Sequence, residues 1–168
     1  NDPSSRLGII MQCFSYSDVN TIFPVSYCQE LSMFGALAPA FLEFILSEGK
    51  INKYTPGETV FSPGEDSTRF YVVLSGLVSF SRPKGDKKIY SRCFKPGEQI
   101  GFVGMIGLHE RRGFAIAEEQ TYLLEITSAL FHQVCEKFPA DFVVFLINIT
   151  REMSREINDL DALCTELN

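Results

Sequence analysis

At 168 residues, with 45% hydrophobic residues, 15 Phe and no Trp, the chain has the size and apolar mass of one globular domain. A net charge of −6 excludes the basic footprint of a nucleic-acid surface. No apolar run approaches the ~20 residues that span a bilayer. The five cysteines are widely spaced, without CxxC or Cys/His pairing, and are expected as thiols of a cytoplasmic protein rather than disulfides, zinc ligands or iron–sulfur ligands.

Residues 1–31 are read as an N-terminal extension packing on the domain; Ile9–Met11 and Ile22–Val25 are too short to assign. The start NDPSSRLGIIMQ lacks the basic lead and long apolar core of a signal peptide. From Met33 to Ser47, apolar residues at Leu37, Phe41, Phe44 and Ile45 predict a helix, with Pro39 in its first turn. Pro56-Gly57, Pro63-Gly64, Pro96-Gly97, Ser75-Gly76 and the tip at Pro83–Asp86 then divide the chain into short segments. Those segments predict strands over Lys50–Tyr54, Thr59–Phe61, Phe70–Leu74, Leu77–Ser81, Lys88–Phe94, Gly113–Ala117 and Tyr122–Ile126. The unbroken apolar run Phe70–Leu74 should be buried on both faces. Many short strands between frequent turns indicate a sandwich, jelly roll or small barrel.

Thr127 or Ser128 should cap a helix running to about Lys137, which Phe138-Pro139 ends. From Ala140 to Asn168 there is neither Pro nor Gly, and a helix there would be roughly 43 Å long at 1.5 Å per residue. Phe142, Leu146, Ile149, Met153, Ile157, Leu160, Cys164 and Leu167 form one continuous apolar stripe. Arg151, Glu152, Arg155, Glu156, Asp159 and Glu166 are assigned to the opposite, solvated face. The stripe predicts a parallel homodimer through this helix. The expected organisation is therefore an extension (1–31), a β-roll with flanking helices (32–138) and a dimerisation helix (139–168).

With these elements in place, the pattern resembles the cyclic nucleotide-binding domain of the catabolite activator family over about Met33–Asn168. Three stretches carry the resemblance: Tyr54–Phe61 followed by Pro63-Gly64-Glu65, then Phe70–Val78 (FYVVLSGLV), and finally Gly97–Ile126. The resemblance implies a double-stranded β-helix, a jelly-roll-like β-roll, followed by the long dimerisation helix. It also implies that the third stretch is a phosphate-binding cassette. Candidate ligand-binding residues are Gly101, Phe102, Val103, Gly104, Met105, Arg111, Arg112 and Gly113. Arg111 takes the place of the family's phosphate arginine, and Arg112 that of a small Ser or Thr. Phe102 stands where the family has a glutamate that accepts from the ribose 2′-hydroxyl, so cAMP or cGMP, the implied ligand, is expected to bind weakly. The glycine-punctuated apolar run Phe102–Leu108 should give a short or irregular cassette helix.

A metal-dependent enzyme on such a β-roll would need two or three inward His, and only His109 and His132 exist. A haem sensor would have to rely on His109 or Cys93, without a spacing motif. Neither catalytic residues nor a metal site is expected. The expectation is a regulatory, ligand-sensing domain of a transcriptional regulator or signalling protein; the alternative is a dimerisation module that keeps the fold without the ligand. The chain stops at Asn168, before a helix-turn-helix could fit, so nucleic-acid contact is assigned to other residues.

Overall fold

A computed structural model describes residues 12–166, apart from the side chains at 88, 90, 91, 163 and 166. The chain runs β1 (Gln12–Phe14), α1 (Tyr16–Val19), α2 (Val25–Glu30), a 3₁₀ turn at Ser32–Phe34 and α3 (Pro39–Glu48). The β region follows as β2 (Lys50–Tyr54), β3 (Thr59–Phe61), β4 (Arg69–Ser75), β5 (Val78–Lys84), β6 (Lys87–Phe94) and β7 (Gln99–Ile100). A short α4 (Phe102–Ile106) leads to β8 (Phe114–Ala117) and β9 (Thr121–Thr127), and the chain closes with α5 (Ser128–Lys137) and α6 (Pro139–Glu166).

The strands make two antiparallel sheets, β1-β2-β9-β4-β7 and β3-β8-β5-β6. Alternation along β4 feeds two cores. Phe70, Val72 and Leu74 face the helices, whereas Tyr71 and Val73 face the second sheet. The apolar run is therefore buried on both faces, as its composition predicts. The β-roll with flanking helices and a long C-terminal helix is the architecture that the sequence implies.

Each Pro-Gly pair is followed by glutamate, and each glutamate closes its own turn. Glu58 accepts from the Thr55 N–H, Glu65 from Ser62 N–H at 2.9 Å and Glu98 from Lys95 N–H at 2.8 Å. Gly76 turns the chain between β4 and β5 at φ +94°, where a Cβ would lie 2.4 Å from Thr121 Oγ1; only glycine fits.

Four expectations change. The helix predicted over Met33–Ser47 begins at Pro39. Ala36 has φ +62°, and proline holds Ala38 extended, so the chain turns between the 3₁₀ segment and α3. Strands β1 and β7 are additional, and the hairpin tip narrows because β5 runs to Lys84. Residues 12–31 contribute β1 to the sheet and Val19, Phe23, Cys28 and Leu31 to the core; Ile9–Met11 lie outside the described residues. The fourth change concerns α6. Ile149 is fully buried with Phe145 in the protein's own core, so it is no part of an outer seam. Glu152 is buried too, on that same inward line rather than on a solvated face. Ile157 and Leu160 are exposed, while Leu167 lies outside the described residues. Asn148 ties α6 to the 3₁₀ turn, donating to Met33 O at 3.1 Å and Gly35 O at 2.9 Å.

Candidate ligand-binding site

A cleft of about 380 Å³ opens between the second sheet, the β7–α4 segment and the far part of α6. Its walls include Phe61, Phe80 and Phe94 from the strands and Glu156 and Leu160 from α6. Gly101, Val103, Gly104, Arg111 and Arg112 also line it, so the structure brings together five of the eight sequence-predicted site residues.

Arg111 is the chemical centre. Its peptide group is gripped by the second Pro-Gly-Glu turn: Gly64 N–H donates to Arg111 O at 2.9 Å, and Arg111 N–H donates to Glu65 O at 2.8 Å. The residue is 5% exposed, with Cζ 4.3 Å from the Phe61 ring centroid. Nη1 donates to Gly101 O at 2.9 Å, Nη2 donates to Arg69 O, and Nε has no partner. Among the described residues, no carboxylate pairs with this guanidinium. Burial, and then the nearby Arg69, lower its pKa from the ordinary arginine value; Tyr71 and Glu65 oppose the shift. A buried cation without a counter-charge is costly, and an anion entering the cleft would remove that cost.

Gly101 lets this happen. It caps α4 at φ +93°, and a Cβ there would lie 2.3 Å from Arg111 Nη1. Val103 and Gly104 follow in the first turn, where N–H groups have no intrahelical acceptor. Arg112 is exposed at the rim. His109 lines the cleft with its Nδ1 2.8 Å from Glu110 O.

Three predicted residues lie elsewhere. Gly113 packs under Phe80, where a Cβ would come within 2.4 Å of the ring. Met105 and Phe102 turn into the helix-side core. Phe102 is 4% exposed and meets Phe70 edge-on at 5.2 Å and Phe131 at 5.6 Å between centroids. It is not among the residues lining the cleft, so its place among the candidate ligand-binding residues is corrected. On the five-residue α4, position 102 lies on the inward side and Val103 and Gly104 on the other.

Sequence reading missed Gln99 and Glu152. Gln99 lines the cleft and is 2% exposed. Its N–H donates to both carboxyl oxygens of Glu152, at 2.9 and 3.1 Å, and its Oε1 accepts from Phe102 N–H at 3.1 Å. The available signal was spacing, because Phe145, Ile149 and Glu152 recur at steps of 4 and 3 on one helix face.

The model of the cyclic nucleotide-binding domain matches residues 51–138, just over half of the chain. The chain belongs to the cyclic nucleotide-binding domain family. It is 25% identical over 130 residues to the cyclic AMP receptor protein of Thermus thermophilus, covering 77% of this chain and 58% of the relative. The crystal structure of the Thermus thermophilus catabolite activator protein superposes with a TM-score of 0.68 over 81% of this chain and 62% of that one. Lysophospholipase NTE1 of Cryptococcus neoformans is 27% identical over 103 residues, which are 61% of this chain but 6% of that protein. This cyclic nucleotide-binding domain therefore spans less than two thirds of both curated relatives. A cyclic nucleotide-binding domain from Methylobacillus flagellatus shares the fold, with a TM-score of 0.79 over 93% of this chain and 89% of that one at 13% identity. No helix of the described residues is long and apolar enough to cross a membrane.

Proposed function

We propose that this domain is the ligand-sensing part of a transcriptional regulator or signalling protein in the cytoplasm, and that its cleft takes a small phosphate-bearing ligand of the cyclic nucleotide class. The observation that carries this reading is Arg111: a buried guanidinium with no carboxylate partner, one orphan nitrogen and a cleft beside it. Arg111 supplies the counter-charge, and the first-turn N–H groups of Val103 and Gly104 supply further donors. The three phenylalanines offer faces for the apolar part of the ligand. The glutamate expected for the ribose is replaced by Phe102, which points away from the cleft, so that hydroxyl lacks its usual acceptor. An unpaired hydroxyl costs ~1–3 kcal/mol, or ~5–150-fold in affinity.

Homodimerisation belongs to the same proposal. It is supported by exposed Val143, Ile147, Ile157 and Leu160 on α6, a seam that keeps Ile157 and Leu160 of the sequence stripe and adds Val143 and Ile147.

Calorimetric titration with cAMP and cGMP decides the reading. Weak binding that is abolished in Arg111→Ala supports it, whereas binding that is indifferent to Arg111 refutes it. One feature favours a second reading, a dimerisation module without ligand: Gly101 O and Arg69 O already accept from both terminal nitrogens of Arg111. Failure of every cyclic nucleotide to bind would leave that reading.

A further inference from the structure

We infer that Glu152 is a positioning residue for the cassette: through Gln99, it fixes where β7 passes into α4 and ties that point to α6. The inward line of α6 starts with Phe145 and Ile149, both fully buried and apolar. One more step along it, a leucine would extend the packing, yet the chain places a carboxyl group there. That carboxyl reaches Gln99 N–H with both oxygens, and Gln99 passes the connection on by accepting from Phe102 N–H. Phe102 opens α4. Three consecutive hydrogen-bonded groups thus connect the C-terminal helix to the first residue of the cassette helix.

The position is electrostatically expensive. Arg92 of β6 is the cation whose charge acts on it, but it is engaged by Glu98 at 3.5 Å and Glu156 at 3.1 Å and lies 4.3 Å from the Phe94 ring centroid. No ion pair reaches Glu152 among the described residues. Burial above all, then Glu98 in the preceding turn and Glu156 one helical turn along, raise its pKa from 4.5 to about 8; the Gln99 N–H and Arg92 act the other way. A costly group kept where packing alone would accept an apolar one is explained by what it holds.

What it holds is next to the cleft. Gln99, Ile100 and Gly101 form one wall, while Glu156 and Leu160, one and two turns beyond Glu152, form another. A shift of the cassette moves Gln99 N–H and therefore the carboxyl that grips it. α6 carries that displacement to its own cleft-lining residues. This assignment rests on the ligand-sensing reading for its purpose, but the relay itself is measurable without any ligand.

The decisive measurement is amide hydrogen exchange by NMR on the full chain, from pH 6 to 9, corrected for intrinsic rates. In the wild type, protection at Gln99 and Phe102 should fall as pH rises from 6 to about 8 and level off above it, because over that range the opened anchor has released a proton that the closed one keeps. Glu152→Gln keeps an acceptor without a titrating proton, so both amides should stay protected with no break in pH. In Glu152→Ala both should exchange roughly tenfold faster, the equivalent of one lost hydrogen bond, while amides in β9 remain protected. A pH break that persists in Glu152→Gln would overturn the assignment, as would wild-type protection in Glu152→Ala. Should Glu152→Ala fail to fold, the glutamine variant decides alone. Adding cyclic AMP as a probe separates the two claims: absence of heat on binding counts against the sensing reading, and the exchange data decide the relay by themselves.

Discussion

Exchanging Phe102 for glutamate asks which way the cassette helix faces. If position 102 faced a ligand, the substitution would restore the acceptor that the family carries and strengthen cyclic nucleotide binding. The structure implies the reverse. Phe102 is 4% exposed, with Phe70 at 5.2 Å and Phe131 at 5.6 Å between ring centroids. Removing such a ring costs about 3–5 kcal/mol, and a carboxyl left among aromatic rings adds to that. For a domain of this size each kcal/mol lowers Tm by about 2–4 °C, so a fall of ~10 °C or more is expected in thermal unfolding. Burial would raise the new carboxyl's pKa, so the unfolded chain would release its proton at lower pH than the folded chain. The loss should therefore grow as pH rises above the ordinary carboxyl range. Phe102→Leu, which keeps apolar volume, should cost clearly less. A Phe102→Glu protein as stable as wild type, or one that gains cyclic nucleotide affinity, would refute the inward placement.

Arg111→Ala should weaken any phosphate-bearing ligand by ~1.5–3 kcal/mol, the value of a hydrogen bond to a charged group; Arg112→Ala should matter less, and calorimetry orders the two. Glu152 should cost stability as pH climbs from 4.5 to about 8, because the unfolded chain has released a proton that the folded chain keeps. Denaturant unfolding should show that slope, at most about 1.4 kcal/mol per pH unit, and Glu152→Gln should flatten it. Ile157→Glu with Leu160→Lys should yield a monomer in ultracentrifugation if the exposed part of α6 is the dimer seam, whereas Ile149→Glu should unfold the protein. Burial pushes the Cys28 thiol up to about 11, so it should resist a maleimide under native conditions while exposed Cys13 reacts.

The strands were readable because their limits are written locally. Pro-Gly-Glu turns bracket several of them, and the β4 run carries its burial in its composition. β1 and β7 were not, since segments of three and two residues acquire strand character only from their partners. The cassette's place and Arg111 were legible from the order of landmarks. The direction of Phe102 was not, because five residues are too short for a periodic face to show in sequence. Glu152 was misread for a different reason: a charged residue on a long helix normally belongs to solvent, and only its step from Ile149 hinted otherwise. Ile149 went into a partner seam because a periodic stripe cannot reveal whether its own domain or another chain covers it.

Sheet order has a consequence for synthesis. The middle strand of the five-stranded sheet, β9, is the last strand made, and it pairs on one side with β2 and on the other with β4. Until residue 127 has left the ribosome, β2 and β4 present unpaired edges with their apolar faces uncovered. Strands in that condition are templates for pairing with other chains, and closing contacts so distant in sequence is slow. A nascent chain halted in the cassette would have most of its strands but no centre to its sheet, a species suited to chaperone capture or aggregation.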